Sequence, residues 1–345
     1  PGAHERGQVI PLPSDVGGHP IDDGRDLERE IILFPQRRDQ CVIGFQLRKE
    51  FTPSLSATAQ ILVRAQNPNE KSSPTIDWAY LSYSPQDHSE WTVQAGRQRI
   101  PLYYYSDFLY IGYSYPWVRP APDVYGWPIY AYDGANVSYQ TQIGKSNWTA
   151  NTKVWAGGFT QKDDAYDTLI YYTTPTHHAW DSILGASISV SNGPFDARLM
   201  MMQYKDSYWQ DAPGGGRNYL VQDQPTKIVG ISANLDYKNW IVKSELDLYE
   251  QNDDAKKLNN IYKYALLGVG YSFGDFTPMY TRSQYTTVNP DYLEARSSEY
   301  FSLRWNFMKN TSLKLQYDIT KDNSRLSYPF FGDSRLLSIS LQGTF

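Results

Sequence analysis

The feature that most limits what this chain can become is a two-residue rhythm repeated along almost its whole length. The last segment, LLSISLQGTF, shows it plainly. Leu337, Ile339, Leu341 and Phe345 share one phase, while Ser338, Ser340, Gln342 and Thr344 share the other. Successive side chains of an extended strand point to opposite faces, so this pattern marks a strand with one apolar and one polar face. VGISANLDY, FSLRWNF and LKLQYDI, starting at Val229, Phe301 and Leu313, repeat it. Similar stretches begin near residues 41, 55, 75, 91, 128, 147, 182, 195, 240 and 262. Each has roughly the nine to eleven residues that a tilted strand needs to cross a bilayer.

A soluble sandwich alternates in the same way, and the connections separate the two architectures. Short joins sit at FTPSL, SPQDHSE, QIGKSN, SNGP, YKN, FGD and MKNT. Between them lie long ones, at about 67–74, 100–127, 158–180, 206–226, 250–260, 285–297 and 320–334. Tight turns on one side and long loops on the other are what a transmembrane barrel requires. Phe51, Trp91, Trp148, Phe195, Trp240, Phe276, Phe307 and Phe345 stand beside the short turns, where rings form an interfacial girdle. Composition agrees: 29 Tyr and 10 Trp stand against 5 Met and 1 Cys, a bias toward strands and wet–dry boundaries. Mean hydropathy is only −0.56, as expected if half of each strand touches lipid. No uninterrupted apolar run of about 18 residues offers a membrane helix. A net charge of −5 argues against nucleic-acid binding, and Cys41 alone forms no internal disulfide. No apolar leader follows Pro1, so an exported precursor would already have lost its signal.

A sheet in lipid must close, because an open edge leaves backbone groups without water. Even strand numbers put both chain ends on the same side, in the periplasm. CVIGFQLRKEF runs toward a short turn, so one more strand must precede residue 41. GQVIPLP and REIILF are the candidates, the first weakened by its prolines. The expectation is an all-β, antiparallel up-and-down transmembrane barrel of sixteen strands. Residues 41–345 form its body, and residues 1–40 carry the first strand with an irregular or lumen-tucked remainder.

In strand rhythm, loop rhythm and terminal Phe345, the chain resembles the general-diffusion porins of Gram-negative bacteria over its whole length. The stretch AGRQRIPLYYYSDFLYIGYSYPWVRP is similar to a signature of less characterised porin-like proteins from such bacteria. The resemblance implies an integral outer-membrane protein with long loops outside, in contact with lipid and lipopolysaccharide. It further implies a homotrimer, and a terminal Phe345 read by the barrel-assembly machinery. The third outside loop, about 101–128, would fold inward and narrow a channel for small hydrophilic solutes. Here the chain departs from the family. General porins set clustered acids on that loop against a ladder of arginines. This loop carries Tyr103, Tyr104, Tyr105, Phe108, Tyr110, Tyr113, Tyr115, Trp117, Tyr125 and Trp127, and its charges are Asp107, Arg119 and Asp123. So much apolar area favours burial over exposure to water, and its hydroxyls would offer an amphipathic lining.

The wet phase of the strands supplies the channel wall: Arg48, Arg64, Lys153, Arg198, Lys243, Glu245, Arg304 and Lys314, with Glu50, Asp247 and Asp318. Arg97 and Arg99 flank the loop and are expected to face Asp107 or Asp123. The basic excess predicts a mild preference for anions. Pairing of Lys243, Arg304 and Lys314 with nearby acids would cancel it, and the sequence favours neither.

Other signals carry less. His177 and His178 read as surface histidines without a third metal ligand. Asp163, Asp164 and Asp167 lack the glycine and distal Glu of a calcium loop. GGGR at 214–217 lacks the Lys-Ser/Thr of a phosphate loop, and no cofactor motif stands out. No Ser, His and acid set sits in a recognisable context, so an enzyme is not expected. A passive channel and a plugged, non-conducting scaffold or receptor remain equally compatible with the sequence.

Overall fold

A computed structural model describes residues 28–34, 42–64, 74–109, 112–126, 129–164, 174–253, 258–288, 294–325 and 332–344. Strands β1 to β5 are Glu28–Phe34, Val42–Thr52, Leu55–Arg64, Thr75–Tyr83 and Trp91–Arg99. Strands β6 to β10 are Ala131–Gln142, Thr149–Gln161, His177–Asn192, Phe195–Asp211 and Arg217–Tyr237. Strands β11 to β16 are Trp240–Asp253, Leu258–Tyr271, Phe276–Val288, Ala295–Met308, Thr311–Asp322 and Ser334–Thr344. Each pairs antiparallel with its sequence neighbours. Strand β1 also meets β16, through Ile32↔Thr344 and Leu33↔Gly343, which joins the two ends of the sheet. The first strand is thus EREIILF; GQVIPLP and Phe345 lie outside the described residues.

The greasy phase faces outward. In β16, Leu337, Ile339 and Leu341 are 50%, 57% and 45% exposed, while Ser340 and Gln342 beside them are 0% and 1%. In β13 through β15, Tyr280, Phe301 and Leu315 are exposed, and Thr281, Ser302 and Gln316 are buried. This inverts a soluble protein, whose apolar side chains withdraw from the surface. Such a surface is stable only against hydrocarbon, and there every backbone donor and acceptor must be paired within the sheet.

The short turns fall where the sequence places them, between Thr52 and Leu55, Asn192 and Phe195, Tyr237 and Trp240, and Met308 and Thr311. Beside them, rings of neighbouring strands meet. Trp91 lies 4.6 Å from Tyr139, Trp148 5.9 Å from Phe195, Trp240 5.0 Å from Tyr271, and Phe276 5.7 Å from Trp305.

The long connections 158–180 and 206–226 are corrected. Strands β8, β9 and β10 run 16, 17 and 21 residues, so most of the second connection is ladder, turning only at 212–216. Apolar alternation reports only the lipid-facing part of a strand, whereas backbone pairing continues into water without it. The turn uses Gly214, Gly215 and Gly216, all with φ between 93° and 100°, a region closed to most side chains. The histidines are corrected too, because they open β8. His177 and His178 are buried, and His178 bonds Asp206 at 2.5 Å between the rings of Trp180 and Tyr208.

The orientation of the two faces predicts opposite tolerance to charge. Leu246→Arg, outward and 56% exposed, should lower folding stability in lipid vesicles by about 2–4 kcal/mol. Ser138→Arg, on the inner face, should change it by less than about 1 kcal/mol. Urea titration of vesicle-embedded protein reads both.

Candidate pore constriction

Strand β5 ends at Arg99 and β6 begins at Ala131, and the segment between them folds inside the barrel. Its fold begins locally. Tyr103 N–H donates to Ser106 Oγ at 2.9 Å, and a 3-10 turn follows at Ser106–Phe108. Pro122 opens the one-turn helix α1, Pro122–Tyr125, where its missing N–H costs nothing. Rings then clasp the two legs together. Tyr103 lies 4.9 Å from Tyr125, and Tyr105 meets the edge of Trp117 at 5.4 Å. Burial, with Glu245 among the nearby charges, pushes the hydroxyls of Tyr103, Tyr105 and Tyr125 well above the usual tyrosine range, so these rings stay neutral.

The loop is fastened to the opposite wall, strand by strand. From β9, Arg198 donates to the carbonyls of Tyr103, at 2.9 Å, and Pro101. From β11, Glu245 accepts the Tyr104 N–H at 2.7 Å and the Tyr125 hydroxyl, while Tyr249 bonds the Tyr103 hydroxyl at 2.7 Å. Trp117 Nε1 donates to Thr281 of β13 at 2.7 Å, and Arg296 of β14 holds Asp123 at 2.5 Å. From β15, Gln316 accepts the Val118 N–H at 2.8 Å, and Asp318 pairs with Arg119. Lys314 is fully buried and donates to the carbonyls of Gly112, Tyr115 and Trp117 at 2.5, 2.5 and 2.8 Å.

Several expected partnerships are replaced. Arg97 and Arg99 do not face Asp107 or Asp123. Arg97 pairs with Asp133 on β6 at 2.7 Å, because strand register sets those residues opposite each other. Arg99 is buried against Asp77 at 2.7 Å and reaches the Ser106 carbonyl. Lys314 takes loop carbonyls instead of an acid, Lys243 pairs with Asp236 at 3.2 Å, and Arg304 bonds Asn306 at 2.7 Å. Arg48 lies 3.4 Å from Glu50. Lys153 stands partly exposed on the inner face between Ser138 and Ser187, and Asp107 is part-exposed in its 3-10 turn. Tyr110, Trp127 and the side chains of Phe108, Tyr113 and Arg64 lie outside the described residues.

Sequence reasoning missed the tyrosines of the wall. Tyr249, Tyr264 and Tyr285 stand on β11, β12 and β13 with centroids 4.9 and 5.1 Å apart, and Tyr103 of the loop joins them. Their signal was phase: in SELDLYE, Tyr249 falls in step with Glu245 and Asp247, not with the leucines.

The loop's attachment is testable. Lys314→Met keeps the length but leaves buried carbonyls without their donor. It should lower folding stability by about 1–3 kcal/mol per orphaned group at most, read as a fall in the heat-denaturation midpoint in detergent, and Lys314→Arg should recover part of the loss.

No family model matches the chain, and no curated protein matches it. Solved structures do. The trimer form of in-vitro folded OmpT, an outer membrane protein of Vibrio cholerae, superposes with a TM-score of 0.59 at 8% identity, over 93% of this chain and 99% of that one. The outer membrane channel DcaP of Acinetobacter baumannii gives 0.60 at 11% identity, over 96% and 100%. An anion-selective porin from Comamonas acidovorans gives 0.54 at 12%, over 92% and 98%. The fold is therefore that of outer-membrane porin-like barrels.

Proposed function

We propose that this chain is a Gram-negative outer-membrane porin, a passive diffusion channel for small hydrophilic solutes that is narrowed by the loop at about 101–128. The observation that carries this reading is the inward loop, clasped on itself by rings and bonded to β9, β11 and β13 through β15 inside a polar-lined barrel. A structural scaffold has no need to reach across its own lumen. The similarity to DcaP, described as a channel, points the same way. Long loops lie outside, and both termini lie in the periplasm. Lipid and lipopolysaccharide cover the apolar band, and Phe345 serves as the assembly signal.

The pairing of wall cations supports a channel of little charge preference in place of an anion filter. Arg48, Arg119, Lys243 and Arg296 have carboxylates beside them, and Arg198 and Lys314 are engaged by loop carbonyls. The loop's described tyrosines are neutral and mostly buried, and its Arg119 and Asp123 are paired with the wall. A homotrimer is favoured by the outer face of β3 to β7. There the exposed alanines Ala59↔Ala79 and Ala95↔Ala135↔Ala156 sit in register and leave a flat surface for close approach.

Planar-bilayer recording tests the proposal. The protein should give discrete steps, with a reversal potential near zero in asymmetric potassium chloride. Replacing residues 103–118 with a Gly-Ser linker should raise the step size several-fold. Steps from the loop-replaced protein alone would identify a plugged barrel, the second reading, favoured by the density of the aromatic clasp. Unheated detergent gels should show a trimer band that heat abolishes.

A further inference from the structure

The loop is held to β11 by Glu245 and Tyr249, and on the inner face between them stands Asp247. Asp247 is 5% exposed, yet among the described residues neither of its carboxylate oxygens has a hydrogen-bond partner. Three other acids of the constriction are paired. Asp123 has Arg296, Asp318 has Arg119, and Glu245 has Tyr104 and Tyr125. An uncompensated carboxylate at that depth costs several kcal/mol, so the group either takes up a proton or meets water or a counter-charge in the space beside it.

The surroundings are built to leave it room. Gly230 lies opposite Asp247 in the ladder, and a Cβ there would fall 2.4 Å from Asp247 Oδ1. The carboxylate leans over that glycine into a small cavity lined by Leu102, Tyr104, Arg198, Ser232, Glu245 and Asp247. The space admits about one water-sized particle. Arg198 borders it, but both of its hydrogen bonds go to the carbonyls of Pro101 and Tyr103. With both carboxyls ionised, Glu245, Asp247 and Arg198 together leave one negative charge over.

We propose that Asp247 and Glu245 form a monovalent-cation site in the inner wall, occupied by a desolvated sodium- or potassium-sized ion that ties the wall to the carboxylate holding the loop. The donors are carboxylate and hydroxyl oxygens, which suit hard cations. A divalent calcium or magnesium ion would overcompensate the charge of this site. A single charge also matches the excess. The site does not depend on whether the lumen conducts.

The test is diffraction from crystals of the full chain in detergent, grown in thallium(I) acetate as a heavy stand-in for potassium. An anomalous peak is expected within coordinating distance of Asp247, absent in Asp247→Asn. Gly230→Ala, whose methyl group enters the carboxylate's space, should weaken the peak without removing a ligand, and it keeps the test alive if Asp247→Asn does not fold. The heat-denaturation midpoint of the wild type should fall by several degrees when sodium chloride is replaced by choline chloride at equal ionic strength. That difference should vanish in Asp247→Asn. A wild-type map with no peak in this cavity would overturn the site and identify Asp247 as a protonated acid, and so would a peak that survives Asp247→Asn.

Discussion

Everything in this molecule follows from one requirement: inside hydrocarbon a peptide group must find its partner in the protein. A sheet meets that only by having no edge. Closure then divides side chains into two populations with opposite solvents, and the alternation LLSISLQG is that division written along one strand. Among the described residues, the join between β1 and β16 has two opposed pairs, against ten between β15 and β16. The rest of the barrel carries that seam, since fifteen other ladders hold the cylinder in shape.

The same division explains the loop. A polar-walled interior is a poor place for an aromatic segment unless the segment brings its own apolar core and offers its backbone to the wall. Residues 100–130 do both. Tyr103, Tyr105, Tyr115, Trp117 and Tyr125 pack on one another and on the wall tyrosines. About half of the polar contacts run between wall side chains and loop main chain, as with Lys314, Gln316, Arg198 and Glu245. Main-chain recognition is indifferent to which ring sits at a given position.

Much of this was legible in the sequence. The strand phase, the short turns and the position of the inward loop were readable because each is a local signal: period two, turn residues, and a ring-rich stretch too apolar for water. What escaped was non-local. Arg97 meets Asp133 and Arg99 meets Asp77 because of register and a bulge, which no spacing announces. The length of β10 escaped because pairing in water needs no apolar phase. His178 was misread as a surface residue because its shelter comes from Asp206, Trp180 and Tyr208 on the strand and its neighbour.

The long hairpin of β9 and β10 has a geometric consequence. Strand β10 has 21 residues; at about 3.3 Å each and a tilt near 45°, it climbs roughly 50 Å. The apolar band of such a barrel is only about 25 Å tall. A two-stranded parapet therefore rises some distance beyond the apolar band on one flank of the barrel, with the triple-glycine bend as its crest. Whatever nears that end of the cylinder from the same flank meets this hairpin first.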